Sequence, residues 1–169
     1  IAINTGAIPR PLALLLVWFM HATNKLCRKA PWYFFGQSDY QAKAFKDNHL
    51  MHSKTRYEKF IALYQRHKKL QLGGVTLKWL IEAEKARIGI HTDIEKMKTP
   101  FIIIQAGDDS IVDNTAQNNF CRKAHKLRPS SAIASKPICI KGALHELLFE
   151  SDHIRSSALN SALAFFKAH

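Results

Sequence analysis

The chain is short of acid, of cysteine and of long apolar runs. Against 25 Lys and Arg it has only 13 Asp and Glu, so its formal charge is +12. The shortage is uneven. Residues 1–98 hold 17 basic against 7 acidic residues, a net of +10, and residues 99–169 hold 8 against 6, a net of +2. Such an excess implies an anionic partner for the first part, phospholipid headgroups or nucleic acid, or else a solvated basic surface. Three cysteines, Cys27, Cys121 and Cys139, are an odd number without metal-ligand spacing. They exclude a disulfide framework and read as buried thiols of a reducing compartment. The longest apolar stretch, Pro11 to Met20, is about half of a bilayer span. Arg10 before it gives the flank of a signal-peptide core, but no small-residue cleavage site follows. Repeats and low-complexity segments are absent. No nucleic-acid-binding motif interleaves the Lys and Arg, so nucleic acid is not an expected partner.

What is present suffices for a folded domain. At 47% hydrophobic, the 169 residues can build a core. Ile1 to Pro11 is irregular, and Leu12 to Lys25, apolar nearly all round, reads as a buried or surface-seeking helix. Arg28 to Tyr40 reads as a loop whose Trp32, Tyr33, Phe34 and Phe35 pack locally or form a lipid-binding lip. A second helix starts near Ser53, with Thr55 and Glu58 in a capping-box pattern and Tyr57, Phe60, Ile61 and Tyr64 on one face. Thr76 caps a third helix running to about Arg87, with Leu77, Leu80, Ile81 and Glu84 on one side and Gly89 as its stop.

After Pro100 the pattern changes. Phe101 to Gln105 is a β-branched run typical of a strand covered on both faces. Asn114 to Leu127 is helical, with Ala116, Phe120, Ala124 and Leu127 on one face. Pro137 to Lys141 is the next strand, and Ser151 caps a last helix whose Ile154, Ala158, Ala162 and Phe165 face inward. Strand, helix, strand, helix at this length is a parallel unit. The expected fold class is therefore α/β. Residues 1–98 read as an α-helical insertion with a lead-in segment. Residues 99–169 form the C-terminal part of a parallel sheet.

Function in open α/β sheets collects at the carboxyl ends of the strands. Asp108, Asp109 and Asp113 follow one strand end, and His145, in Gly142-Ala143-Leu144-His145, follows the next. Strand, acidic turn, helix, strand, Gly-x-x-His is the closing half of an α/β-hydrolase, whose triad runs nucleophile, acid, histidine along the chain. A histidine there is general base toward a serine and general acid toward the leaving alcohol, while the carboxylate holds its tautomer. Asp109 sits inside the tight turn after Gly107, Asp113 suits the cap of the next helix, and Asp108 is expected to face solvent. No Gly-x-Ser-x-Gly occurs. Ser38, in Gly36-Gln37-Ser38-Asp39-Tyr40, comes nearest but lacks the second glycine and a preceding strand. The nucleophile serine is thus expected upstream of Ile1. The chain, which opens on Ile, reads as the C-terminal part of a larger enzyme. His145-Glu146 is not a zinc-protease opening, because position 149 is Phe. His49 and His52 have no acidic partner near them in sequence and read as solvent-exposed.

Gly73-Gly74 with Leu77-Lys78-Trp79, Met51-His52-Ser53 with Arg56-Tyr57, Gln105 to Asn114, and Lys141 to Glu150 together resemble the bacterial lysophospholipases of the monoacylglycerol-lipase-like α/β-hydrolase family. The likeness runs from about Asn4 to Phe166. It implies an esterase of lysophospholipids or monoacylglycerols, with the acid at Asp109, the histidine at His145 and the stretch before Pro100 as lid over an acyl pocket. It implies no metal and no organic cofactor. The oxyanion-hole loop and serine elbow of this family precede the cap. These residues alone are therefore expected to be inactive, and to need the missing N-terminal half or another copy for stability. The expected location is cytoplasmic or peripheral on the inner membrane. The rival reading is a non-catalytic basic module binding anionic membrane or nucleic acid.

The charge separates these readings. If the +10 of residues 1–98 faces anionic lipid, binding to anionic liposomes should weaken steeply toward physiological salt, where the Debye length is about 8 Å. Charge reversal at Arg66, Lys68 and Lys69 should weaken it further. Equal binding to neutral liposomes would remove the membrane reading.

Overall fold

The computed structural model describes residues 9–27 and 30–169. The expectations for residues 1–8, for Arg28 and Lys29, and for the Arg10 side chain lie outside the described part. Helix α1 spans Arg10–Leu26 and starts two residues before the expected point, because Pro11 falls in the first turn, where a missing N–H costs nothing. Its apolar character resolves into one packed stripe and an open remainder. Val17 is buried against Leu77 and Ile81, with Met20, Phe34 and Leu80 around them. Leu15, Trp18 and Phe19 stay exposed.

The aromatic loop packs locally for part of its length. Tyr33 forms an antiparallel bridge with Thr76. Phe34 N–H donates to Val75 O at 2.8 Å and Leu77 N–H to Trp32 O at 3.0 Å. Phe35 remains exposed.

Helix α2 spans Lys54–Arg66 and α3 spans Leu77–Thr92. The Thr55–Glu58 capping box is not formed. Ser53 is the N-cap, its hydroxyl accepting the Arg56 N–H, and Thr55 already lies inside the first turn. Lys68 and Lys69 fall past the end of α2, in a 3₁₀ turn. Thr76 caps α3 as expected, by accepting the Trp79 N–H. Gly89 does not stop that helix. Its carbonyl instead accepts the N–H of Asp93 and the hydroxyl of Thr92, so the helix runs on to Thr92.

The second half is a small α/β unit. Strands β1 (Ile104–Ala106) and β2 (Ile138–Ile140) pair in parallel, with Ile104 beside Ile138 and Ala106 beside Ile140. Helix α4 (Asn114–Leu127) connects them and α5 (Asp152–Ala168) follows. Ile94, Phe120, Ala124 and Ala132 make one core cluster; Ala106, Ile140, Ala143 and Ala158 make the other. The inward face of α4 is Gln117, Phe120, Cys121 and Ala124, and Leu127 is exposed. Ser151 stands at the N-cap of α5 but its side chain makes no capping bond. The first strand is covered as expected, with Gln105 and Ala106 buried and Ile104 partly so, whereas Ile138 and Cys139 of β2 are exposed. Of the three thiols only Cys121 is buried. Cys27 lies at the open end of α1, and Cys139 lies on β2, which pairs with no strand other than β1 among the described residues.

The carboxyl ends of the two strands are held close. Gly107 N–H donates to Ile140 O at 2.9 Å. A Cβ at Gly107 would sit 2.9 Å from Ile140 O and 3.1 Å from Lys141 Cα, both backbone atoms. Gly142, at φ 72°, turns the chain away from β2 in a conformation that side chains with a Cβ resist. Gly107→Ala should therefore lower stability by about 1–3 kcal/mol, as overpacking does. The midpoint of urea unfolding measures it, and an unchanged midpoint would contradict the close approach.

Candidate active site

The acid turn is built from its ends inward. Asn114, the first residue of α4, donates from Nδ2 to Ala106 O at 2.8 Å and to Gly107 O at 3.1 Å. Gln105, buried in β1, donates to Asn114 O at 3.2 Å and to Gln117 Oε1 at 3.3 Å. The loop 107–113 is thereby closed over the strand end. Asp109 Oδ1 accepts the N–H groups of Ile111 and Val112 at 2.8 and 3.0 Å. Its Oδ2 is left to face His145, 2.9 Å from Nδ1. Asp113 caps α4 by accepting from Thr115 and Ala116, and Asp108 is exposed.

The histidine turn is fixed on both sides of His145. The preceding residue, Leu144, donates its N–H to Glu150 Oε1 at 2.9 Å. The following residue, Glu146, donates its N–H to Leu50 O at 2.8 Å. Asp109 is 5% exposed in its side chain and His145 30%. An ionised carboxylate only accepts, so the proton of a neutral His145 sits on Nδ1 and the Nε2 lone pair is free to act as a base. Nε2 forms no hydrogen bond among the described residues. Burial pushes the Asp109 carboxyl up. The Val112 amide, the His145 ring and the Ile111 amide outweigh it, so the group lies below its ordinary value.

Glu150 was not singled out as a functional residue by the sequence. Its side chain has no exposed surface. It accepts the N–H groups of Leu144, His52 and Ser151, and its Oε1 lies 2.8 Å from His52 Nδ1. Burial raises its carboxyl, and these bonds outweigh that, for a net shift downward. Arg56 adds a bond from Nη1 to Glu150 O at 2.7 Å and an ion pair with Asp152. His52 thus has an acidic partner after all, 98 residues away along the chain. The one local signal was an acid closing the apolar run Leu147-Leu148-Phe149, where a charged residue is buried only if paired.

Phe149 packs edge-on to Phe60 at 5.8 Å between ring centroids, and Phe60 meets Tyr64 at 4.4 Å, so an aromatic wall from α2 stands near the histidine turn. Ser38 is exposed on a loop with its hydroxyl donating to Asp39 O. His49 is exposed. Among the described residues no helix is long and apolar enough to cross a membrane.

Comparison with known proteins adds to this geometry. The family model described as "Serine aminopeptidase, S33" matches residues 2–152. Lysophospholipase L2 of Escherichia coli strain K12 is 33% identical over 140 residues, covering 81% of this chain and 40% of that protein. The probable lysophospholipase L2 of Haemophilus influenzae is 30% identical over 135 residues, covering 79% of this chain and 40% of that protein. The chain thus spans about 40% of the length of the curated relatives it matches. No solved structure matches it.

Asp109 and Glu150 both lie below their ordinary values in the folded state. A lowered folded value contributes stability that is fully present above the unfolded value and is lost as the pH falls through the folded one. Stability should hold from neutral pH down to the ordinary carboxylate range, about pH 4, and decline below it. In Asp109→Asn the decline should be shallower. An acid limb identical to that of the unaltered chain would show that Asp109 carries no such linkage.

Proposed function

Because the chain belongs to the serine aminopeptidase S33 family, an α/β-hydrolase family, we propose that it supplies the acid and the histidine of a Ser-His-Asp triad in an esterase. The proposed substrates are lysophospholipids or monoacylglycerols. The observation that carries the reading is the 2.9 Å pair of Asp109 Oδ2 and His145 Nδ1 at the carboxyl ends of adjacent parallel strands. The name of the Escherichia coli relative supports the lysophospholipid over a peptide.

The nucleophile serine comes from the remainder of the enzyme. As its Oγ attacks the ester carbonyl, His145 Nε2 takes the hydroxyl proton, and Asp109 stabilises the imidazolium. His145 then gives that proton to the leaving glycerol oxygen, which departs and leaves an acyl-serine. A water then loses its proton to the same nitrogen and attacks the acyl carbon; the acyl–Oγ bond breaks, His145 returns the proton to the serine Oγ, and the fatty acid is released. Residues 1–98 act as the cap, and the aromatic wall of Phe60, Tyr64 and Phe149 offers an apolar side for the acyl chain. The two-stranded sheet is completed by the rest of the enzyme or by a second copy, since an unpaired strand edge invites association. The chain alone hydrolyses no ester.

A second feature supports contact with an anionic membrane surface. Leu15 and Phe19 of α1 are 66% and 72% exposed, and they belong to the region whose net charge is +10 (17 basic minus 7 acidic). Apolar side chains beside a basic surface suit the headgroup boundary.

In the full-length enzyme, Asp109→Asn should lower kcat on the order of 10⁴-fold, as in other triads. His145→Ala should abolish turnover with substrate binding retained. Asp113→Ala should leave the chemistry intact and cost about 1 kcal/mol as a lost cap. Steady-state kinetics on lysophospholipid and a thermal melt of each variant decide the matter. Activity surviving in His145→Ala would end the hydrolase reading. A crippled Asp113 variant beside an active Asp109 variant would reassign the acid.

A further inference from the structure

We propose that Glu150 is a positioning residue for His145, and that it binds the histidine turn to the segment leading into α2. The inference rests on the reading of His145 as the base. A carboxylate without exposed surface is stable only when donors fill its lone pairs. Glu150 has four. Oε1 takes Leu144 N–H at 2.9 Å and faces His52 Nδ1 at 2.8 Å; Oε2 takes Ser151 N–H at 2.8 Å and His52 N–H at 3.1 Å. A side chain that only closed the start of α5 would need the Ser151 bond alone. Here three of the four donors come from outside that helix start, and one is the amide beside His145.

The same segment holds the other side of the histidine. Glu146 N–H reaches Leu50 O at 2.8 Å, and Asn48 shapes that strip by donating to Met51 O and accepting Leu50 N–H. The amides flanking His145 are therefore both tied to residues 48–52, one directly and one through Glu150. Arg56, in the first turn of α2, clamps the far side through Glu150 O, Ser53 Oγ and Asp152. The imidazole meets Asp109 from a turn with little freedom to slide. The segment that launches α2 and the turn that carries the base move as one body.

Glu150→Gln keeps the shape but replaces one acceptor oxygen with an NH₂ that faces donors. In the full-length enzyme it should lower kcat on the order of 10²-fold, the cost of misplacing a reacting group by about 1 Å, with KM unchanged. The proton NMR signal of the His145 Nδ1–H shared with Asp109 should broaden or vanish in the folded variant. His52→Ala should shift both readouts in the same sense by less, and His52→Asn, whose amide can donate to Oε1, should restore them. The His52 side chain is half exposed, so that pair decides the question even if Glu150→Gln does not fold. A folded Glu150→Gln enzyme with the original kcat and an unchanged Nδ1–H signal would overturn the proposal. So would His52→Ala and His52→Asn that are indistinguishable from each other. Failure of the hydrolase reading would show separately, as activity in His145→Ala, while the Nδ1–H signal would still report on positioning.

Discussion

The structure around the site depends on keeping two carboxylates charged away from water. Each removes solvent from an ionised group, which is costly unless hydrogen bonds replace it. Asp109 and Glu150 use the same device, backbone amides, supplied by one turn for Asp109 and by separate segments for Glu150. In Asp109 two amides occupy one oxygen and leave the other for the imidazole. In Glu150 three amides and the His52 ring occupy both oxygens. The first acid is finished by a half-open histidine and so can respond to chemistry. The second is saturated and serves to hold the chain still. Leaving such a group without its donors costs more than the bonds contribute when made, because the desolvation remains.

The parts of this arrangement that were legible in the sequence are those encoded locally. The β-branched runs before Gly107 and Gly142 gave the parallel pair, and the 3.6-residue periodicity of residues 114–127 gave the connecting helix. His145 followed from chain order and from lying just past a strand end, Asp109 from the tight turn after Gly107 together with the family resemblance, and the cap at Asp113 from its place one residue before a helix. What escaped was encoded at a distance. Glu150 and His52 are 98 residues apart, and nothing in either neighbourhood points to the other. The smaller misses are competitions between nearby residues. Ser53 took the cap that Thr55 was expected to fill, and the Gly89 carbonyl found partners in Thr92 and Asp93 that carried α3 past its supposed stop. Cys139 lies exposed in an apolar strand, since cysteine count and spacing say nothing of which face a neighbour will cover.

Helix α1 illustrates the same distinction. An all-round apolar helix buries one stripe here, against α3 and Phe34 of the aromatic loop. The region carrying its exposed leucines and aromatics also carries most of the chain's excess positive charge. Surface of that kind is stable in water only at a cost in solubility, and it gains by meeting either the remainder of an enzyme or a lipid boundary.

The long span between the two halves of the Glu150 network sets an order of assembly. The hydrogen bonds within the acid turn and to the start of α4 span at most 13 residues, from Asp109 to Val112 and from Gln105 to Asn114, Gln117 and Asn118. The histidine turn waits for residues 48–56 and 144–152 to find one another, because Leu50, His52 and Arg56 all bond across that gap. Local contacts form fast and distant ones slowly, since the intervening loop must first be closed. Until that docking happens, the imidazole has a partner acid but no fixed place from which to reach it. Completion of the Asp109–His145 pair is then a late event in folding, and a chain with its first helices misplaced would hold a finished acid loop and an unanchored histidine.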